Sequence, residues 1–311
     1  MKVTNKPGPK SSITFKTTDT ATPLVLIKWW TEKDSDKAAV AMLNSATYLK
    51  ESQGYRYRQA AVYARLYGNM SLYNFAGPSM SSMDKAFGLP QERPTFNLIQ
   101  SVTDTLTSRI AQSRPQPVFL TDNGDYKQRN LAKKLNNFLL GEFHNCKTYD
   151  LATQALRDAC VEGTGCLHTF ETYDNRVGME RVLLTELLID PNESMYGEPK
   201  QLYRLKLVDR DILLENYGDS PKMRAKIEAA AKAYPDNSKD ASKTVSDLVM
   251  VVEGWHLRSG KKAKDGRHTL AISSGFILDE AYNKDRFPFT FIHYSPRMVG
   301  FWAQGVAEQL M

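Results

Sequence analysis

The chain has little of what staples, metal sites and membrane anchors are made from. Its 311 residues include three cysteines and five histidines. An odd cysteine count in a chain of this length argues against a disulfide scaffold and for a reducing compartment. His144, Cys146, Cys160, Cys166 and His168 fall within twenty-five residues, but no Cys-x-x-Cys knuckle is among them and Cys160 falls on an expected helix. A tetrahedral zinc site needs four converging ligands, whereas small thiols pack readily as core hydrophobes, so no metal or other cofactor is expected. The longest apolar stretch near the N-terminus, Pro23-Leu24-Val25-Leu26-Ile27-Lys28-Trp29-Trp30, is too short to span a bilayer and carries a lysine. No cleavage-site pattern follows it, so neither secretion nor membrane insertion is expected.

Catalytic arrangements are equally scarce. Cys160 or Cys166 with His168 stands in no recognisable nucleophile motif. Asp104, Asp158, Glu162, Asp190 and Asp209 are scattered over different expected elements rather than gathered for two-metal chemistry. Gly163-Thr164-Gly165 resembles a phosphate cradle only superficially, because no helix follows it and no Lys-Ser or Lys-Thr closes it. The reading is a tight helix-to-strand turn, with no catalytic residue and no enzyme. Internal repeats are absent too.

What is present is an ordinary soluble composition, 41% apolar and 24% charged, with a net charge of +6. Lys2, Lys6, Lys10, Lys16 and Lys28 oppose Asp19 in residues 1–30, so four of the six excess positive charges lie there. Residues 1–33 therefore read as a flexible basic arm and 34–311 as the folded domain. Without the arm the body is nearly neutral, unlike a dedicated duplex-binding protein with a clustered basic face.

Periodicity predicts the elements. A helix starts at Asp34 or Ser35 and runs to Tyr67, with a possible break at Gly54. Its second half interleaves Tyr55, Tyr57, Tyr63 and Tyr67 with Arg56, Arg58 and Arg65. Such interleaving can stack on single-stranded nucleic acid; it also suits a helix packing rings on a core or a subunit neighbour, with arginines at the rim. We take Tyr55, Arg56, Tyr57, Arg58, Tyr63 and Arg65 as the candidate subunit interface. Residues 69–94, punctuated by Gly77-Pro78, Gly88, Pro90 and Pro94, form a long loop. Phe96, Ile99, Val102, Leu106 and Ile110 mark one face of an amphipathic helix, with Asp104 on its mixed face. Pro115 and Pro117 end it, and Val118-Phe119-Leu120 is expected to leave as a strand before a turn at Asp122-Asn123-Gly124-Asp125.

Leu131, Leu135, Phe138 and Leu139 mark a further helix with Lys127, Arg129, Lys133 and Lys134 opposite, and another spans Thr148 to Val161. Strands are expected at Cys166–Tyr173, Val177–Leu188 and Gln201–Val208. Asp209 caps a short helix, Pro221–Ala233 is a surface helix, and 235–247 is a polar linker. Strands at Leu248–Leu257, His268–Ser273, Gly275–Asp279 and Phe287–Tyr294 complete the chain. Their pairing gives an α+β fold, helices packed on a mainly antiparallel sheet.

The order of several short motifs resembles the portal, or head-to-tail connector, family of tailed bacteriophages. Asn97, Val102 and Asp104 lie on one helix; Gly163 and Gly165 join a helix to a strand; Asp190-Pro191 ends a strand. Glu253-Gly254-Trp255 lies in a strand, and Pro288-Phe289 precedes Gly300 and Gly305. The resemblance covers Tyr55 to the end of the sequence. It implies a portal wing-like domain and a structural subunit of a homo-oligomeric ring, usually a dodecamer, at the unique capsid vertex of the virion. The implied partners are further copies of the chain, terminase, tail adaptors, capsid and scaffolding proteins, and the double-stranded DNA that passes through during packaging and ejection. Assembly in the host cytoplasm is part of the same expectation. In that family the chain beyond Gly305 leads into channel helices and a clip, so this sequence is expected to end before the stem, as a fragment, one of two chains or a reduced relative. The alternative is a nucleic-acid-binding module using the arm and the helix at 55–67.

Overall fold

A computed structural model describes residues 28–68, 97–121, 124–172, 176–196, 198–233 and 246–310. The expected arm up to residue 27, the loop at 69–94, Asp122-Asn123 and most of the polar linker lie outside the described residues.

The predicted first helix is two: α1 (Ser35–Ser52), capped by Asp34, and α2 (Gly54–Gly68), separated at Gln53. Then come α3 (Leu98–Gln112), α4 (Tyr126–Asn145) and α5 (Thr148–Glu162). Strand β1 (Thr164–Glu171) follows, then β2 (Val177–Val182), a 3₁₀ turn (Leu184–Glu186) and β3 (Leu187–Leu188). Next are β4 (Gln201–Asp209), α6 (Arg210–Tyr217) and α7 (Pro221–Glu228). The described chain closes with β5 (Leu248–His256), β6 (Arg267–Ile272), β7 (Gly275–Ala281), β8 (Phe289–His293) and the short α8 (Val306–Gln309).

The fold is α+β, with two antiparallel sheets rather than one. Three strands pair in the order β2-β1-β8 and five in the order β3-β4-β5-β6-β7. Strand β8 was expected beside β5 to β7 but pairs with β1, Cys166 facing Phe291. Side chains alternate across a strand, so β5 serves both faces of the larger sheet. Val252 lies against α1 with Trp29, Met42, Tyr203 and Phe276. Val249 and Val251 pack on the opposite side with Leu213 of α6 and Ile227 of α7. Further along that second face, Trp255 joins Cys166, Val182 and Phe289 in a core shared with the smaller sheet. Gly254 makes room where Met42 seats; a Cβ there would stand 2.6 Å from Met42 Cε and would make that flexible side chain shift.

The arm boundary moves inward. Trp29 is fully buried, and its Nε1–H donates to the Tyr203 hydroxyl at 2.8 Å. Trp30 stacks on His256, with ring centroids 4.3 Å apart. Trp29 and Trp30, assigned to the arm by composition, thus belong to the fold, while Lys28, Thr31 and Lys33 beside them are exposed.

Two further expectations fail for one reason. Val118-Phe119-Leu120 is exposed chain with no strand partner, its Phe119 N–H donating to Asn136 Oδ1 at 2.7 Å. On α3 the expected apolar face is partly outside: Val102 and Ile110 are exposed while Thr103 and Thr107 are buried. Periodicity reports that a helix has an apolar face, not which neighbour covers it.

Between the sheets lies a polar layer centred on Arg204 of β4, buried on the same face as Leu202. Its Nη1–H donates to Glu180 Oε1 at 2.5 Å, and Nε–H and Nη2–H donate to Glu186 Oε2 at 3.0 and 2.9 Å. His168 Nδ1 lies 3.1 Å from Glu180 Oε1. The hydrogen bond from His168, then that from Arg204, hold the Glu180 carboxyl far below the usual carboxylate range against the opposing effect of burial.

Truncating the buried Arg204 leaves two partly buried carboxylates without their shared guanidinium, and Arg204→Ala is expected to cost about 3 kcal/mol in denaturant unfolding. A lowered pKa contributes stability that is fully present above the unfolded value, near 4.3, and is lost as pH falls toward the folded one. Glu180→Gln should therefore flatten the loss of stability below about pH 4, measured by urea unfolding across pH; an unchanged acid limb would contradict the assignment.

Candidate subunit interface

Helix α2 carries the tyrosine and arginine side chains singled out in the sequence, and they divide between inside and outside. Arg56 turns inward: Nη2–H donates to the Leu187 carbonyl at 2.6 Å and the guanidinium carbon lies 3.9 Å from the Trp302 ring centroid. Burial lowers its pKa to about 10. Tyr63 is buried, and burial pushes its phenol above the ordinary value. Tyr57 and Arg65 are half-buried, whereas Tyr55 and Arg58 are exposed. The Tyr55 hydroxyl accepts a hydrogen bond from Gln59 Nε2 at 2.9 Å.

Around the inward residues is an open pocket of about 340 Å³. Tyr55, Tyr63 and Trp302 line it, with Glu162 at the end of α5. Glu162 has its pKa raised to about 7, first by burial and then by the neighbouring Asp158. Asp158 is held in turn by Arg181, whose Nε and Nη2 donate to its two oxygens at 2.5 and 2.6 Å.

Asn97 and Asp104 fix α3 to this assembly. The Asn97 amide donates to the carbonyls of Leu66 and Tyr67 at 2.9 and 2.8 Å, and its Oδ1 accepts from the Gln100 N–H at 2.9 Å. One side chain thereby caps the start of α3 and satisfies the carbonyl end of α2, both of which lack intrahelical partners. Asp104 accepts from the Tyr67 hydroxyl at 2.7 Å and stands 3.9 Å from Arg157 of α5.

The glycines act through close approach. At Gly163 φ is +97°, and a Cβ would lie 2.2 Å from the Ala303 carbonyl oxygen. At Gly165 a Cβ would meet the Ala155 oxygen at 1.8 Å, and at Gly305 the Val161 oxygen at 2.2 Å. These three positions let the end of α5, the start of β1 and the 303–305 segment press together. Gly300 has open space around it but a φ of +95°. Asp190 Oδ1 accepts from the Asn192 N–H at 2.8 Å, shaping the turn at Pro191. Trp255 meets the Phe289 ring edge to face at 4.9 Å, and the Pro288 carbonyl accepts from the Thr169 N–H at 2.9 Å.

The cysteines and histidines of the 144–168 stretch are dispersed. Cys160 and Cys166 are fully buried, with the Cys166 thiol pushed up to about 12 by burial, while Cys146 Sγ lies 3.1 Å from the Val177 carbonyl. Among the described residues no group of three or more His, Cys, Asp or Glu side chains is placed to hold a metal ion. Nor is any helix there long and apolar enough to cross a membrane.

Sequence reasoning missed an uncovered apolar surface. Helix α4 has no buried residue, and Leu131, Leu135 and Phe138 form an exposed stripe along it, with Phe138 59% exposed. The sequence marked Leu131, Leu135, Phe138 and Leu139 as one side of a helix with Lys127, Arg129, Lys133 and Lys134 opposite, and gave no sign that the apolar side is uncovered.

The family model described as "Phage P22-like portal protein" matches residues 81–286, more than half of the chain. No curated protein matches it.

Within the matched stretch Asn97 joins two helix ends. Asn97→Ala should lower stability by about 1–2 kcal/mol in denaturant unfolding, while Asn97→Asp, which keeps the cap but loses the amide donors, should fall between. Equal stability of all three proteins would contradict the double role.

Proposed function

The chain belongs to the P22-like phage portal protein family, and from that premise we propose that it is a subunit of the ring-shaped DNA conduit at the unique capsid vertex. The portal family is a structural one, and the role of this chain is that of a phage portal structural protein located in the virion capsid. The finer reading is ours: about twelve copies, assembled in the host cytoplasm with scaffolding and capsid proteins, engage terminase for packaging and tail adaptors afterwards, and pass double-stranded DNA in packaging and ejection. The chain works by shape and assembly and not by catalysis.

The observation that carries this reading is α4. A 20-residue helix with no buried residue and an apolar stripe along it leaves in water an apolar surface that a contact would remove. A ring neighbour would cover such a stripe. The charge distribution agrees, since a near-neutral body allows DNA to slide where a dense phosphate-binding face would hold it. The competing nucleic-acid-binding reading loses support from α2, because Arg56 and Tyr63 are committed inside the fold and no exposed stacking row remains. Tyr55 and Arg58 stay as candidate contacts between subunits.

Leu131→Asp with Phe138→Asp removes no packing from the isolated subunit, because both side chains are exposed in it. The double variant is expected to keep its circular dichroism spectrum and lose assembly, read by native mass spectrometry. Assembly indistinguishable from the parent would contradict the assignment of α4 to the interface.

A further inference from the structure

The described subunit has two uncovered apolar surfaces of different shape. One is convex, the α4 stripe of Leu131, Leu135 and Phe138. The other is concave, the pocket beside α2: Tyr55 and Val299 of its lining are exposed, and so are Met195, Tyr196 and Met298, which adjoin the lining residues Ser194, Arg297 and Val299 in the chain. A hydrogen bond from the Gly300 N–H to the Met195 carbonyl at 3.2 Å ties the two rim loops together.

Resting on the ring reading above, we propose that these surfaces are the two halves of one contact: the α4 stripe of each subunit seats in the aromatic pocket of a second copy of the chain. Three observations lead there. A closed ring is built from a heterologous interface, in which one face meets a different face, and a ridge with a pocket is such a pair. Within one copy α4 does not fill the pocket: no α4 residue is in its lining and α4 buries none of its own. Helix α4 joins α5 at its Thr148 end, the pocket includes Glu162 at the other, and the 15 residues between extend about 22 Å. Charge also matches. Lys127, Lys133 and Lys134 are exposed on α4, which carries Glu142 as its one acidic residue. Around the pocket, Arg297 is neutralised by Glu308, with Nη2 donating to both carboxylate oxygens at 2.5 and 2.7 Å, and the neighbouring chain carries Asp190 and Glu198 against Lys200, which leaves a small acidic excess. Opposite charges around an apolar centre favour this register over ridge against ridge, which would bring the lysines together.

The pocket has the character of an anchor site. Trp302 stacks on Arg56, whose remaining Nε and Nη1 donors are buried without partners, and Tyr63 offers a buried hydroxyl in the same condition. An aromatic knob in a rigid, aromatic-lined pocket is where interfaces concentrate their binding energy. Phe138 is the largest side chain of the stripe.

The test places p-benzoylphenylalanine at position 138 in the full-length chain, irradiates isolated assemblies and sequences the crosslinked peptides. The expected result is intermolecular linkage to 190–200, 294–303 or 54–63. Linkage of α4 to α4, or to α1, within intact rings would overturn the pairing and leave the ring reading standing. Failure of the parent chain to assemble at all would overturn both. A second variant, Tyr55→Ala, truncates a pocket-lining side chain that is 66% exposed in the subunit, so it should fold normally and raise the concentration needed for assembly by at least about tenfold. Unchanged assembly of that variant would count against the pocket as the receiving face.

Discussion

A single buried guanidinium holds the two sheets in register, and the placement of everything else follows from it. Arg204 belongs to the larger sheet and bonds Glu180 on the smaller one and Glu186 in the turn between β2 and β3. An arginine taken out of water at this depth is tolerated only if its donors are matched, so its partners fix the relative position of the layers. Trp255 and Phe289 fill the apolar space beside it. With the smaller sheet fixed, β1 fixes α5, which runs directly into it through Gly163. Helices α2, α3 and α4 are then arranged on or from α5.

The glycines make that arrangement possible. Backbone meets backbone where α5 ends, where β1 starts and where the 303–305 segment passes, and no side chain fits at any of the three. Asn97 performs the corresponding task for the helices, closing the end of one and the start of another with a single amide. These features fix the frame from which α4 projects, and a projecting helix with an uncovered apolar stripe is the physical form that a demand for a neighbour takes.

Much of the frame was legible in the sequence. Asp209 caps the helix it was expected to cap, α1 starts at Ser35 within the expected choice of Asp34 or Ser35, and Gly163 stops α5. The strands from β4 to β7 lie where alternation placed them. The division into two sheets was not legible, because period-two patterning says which residues share a face and nothing about which strands pair; β8 finds its partner β1 more than a hundred residues earlier. Arg204 was hidden for a related reason. In an alternating strand a charged residue reads as solvent-facing, and only the arrival of Glu180 and Glu186 from other elements turns it inward. Arg56 illustrates the same limit at the interface, where a row of arginines and tyrosines gave no sign of which were structural. The uncovered stripe of α4 was visible as a stripe but not as uncovered, since its partner is not in this subunit.

The central claim is that this chain is a ring subunit, and imaging the product of the complete gene by negative-stain electron microscopy tests it most directly. The account predicts closed rings with a central pore and rotational symmetry near twelvefold. A population made up only of monomers and dimers, at concentrations where the protein is folded and soluble, would contradict it.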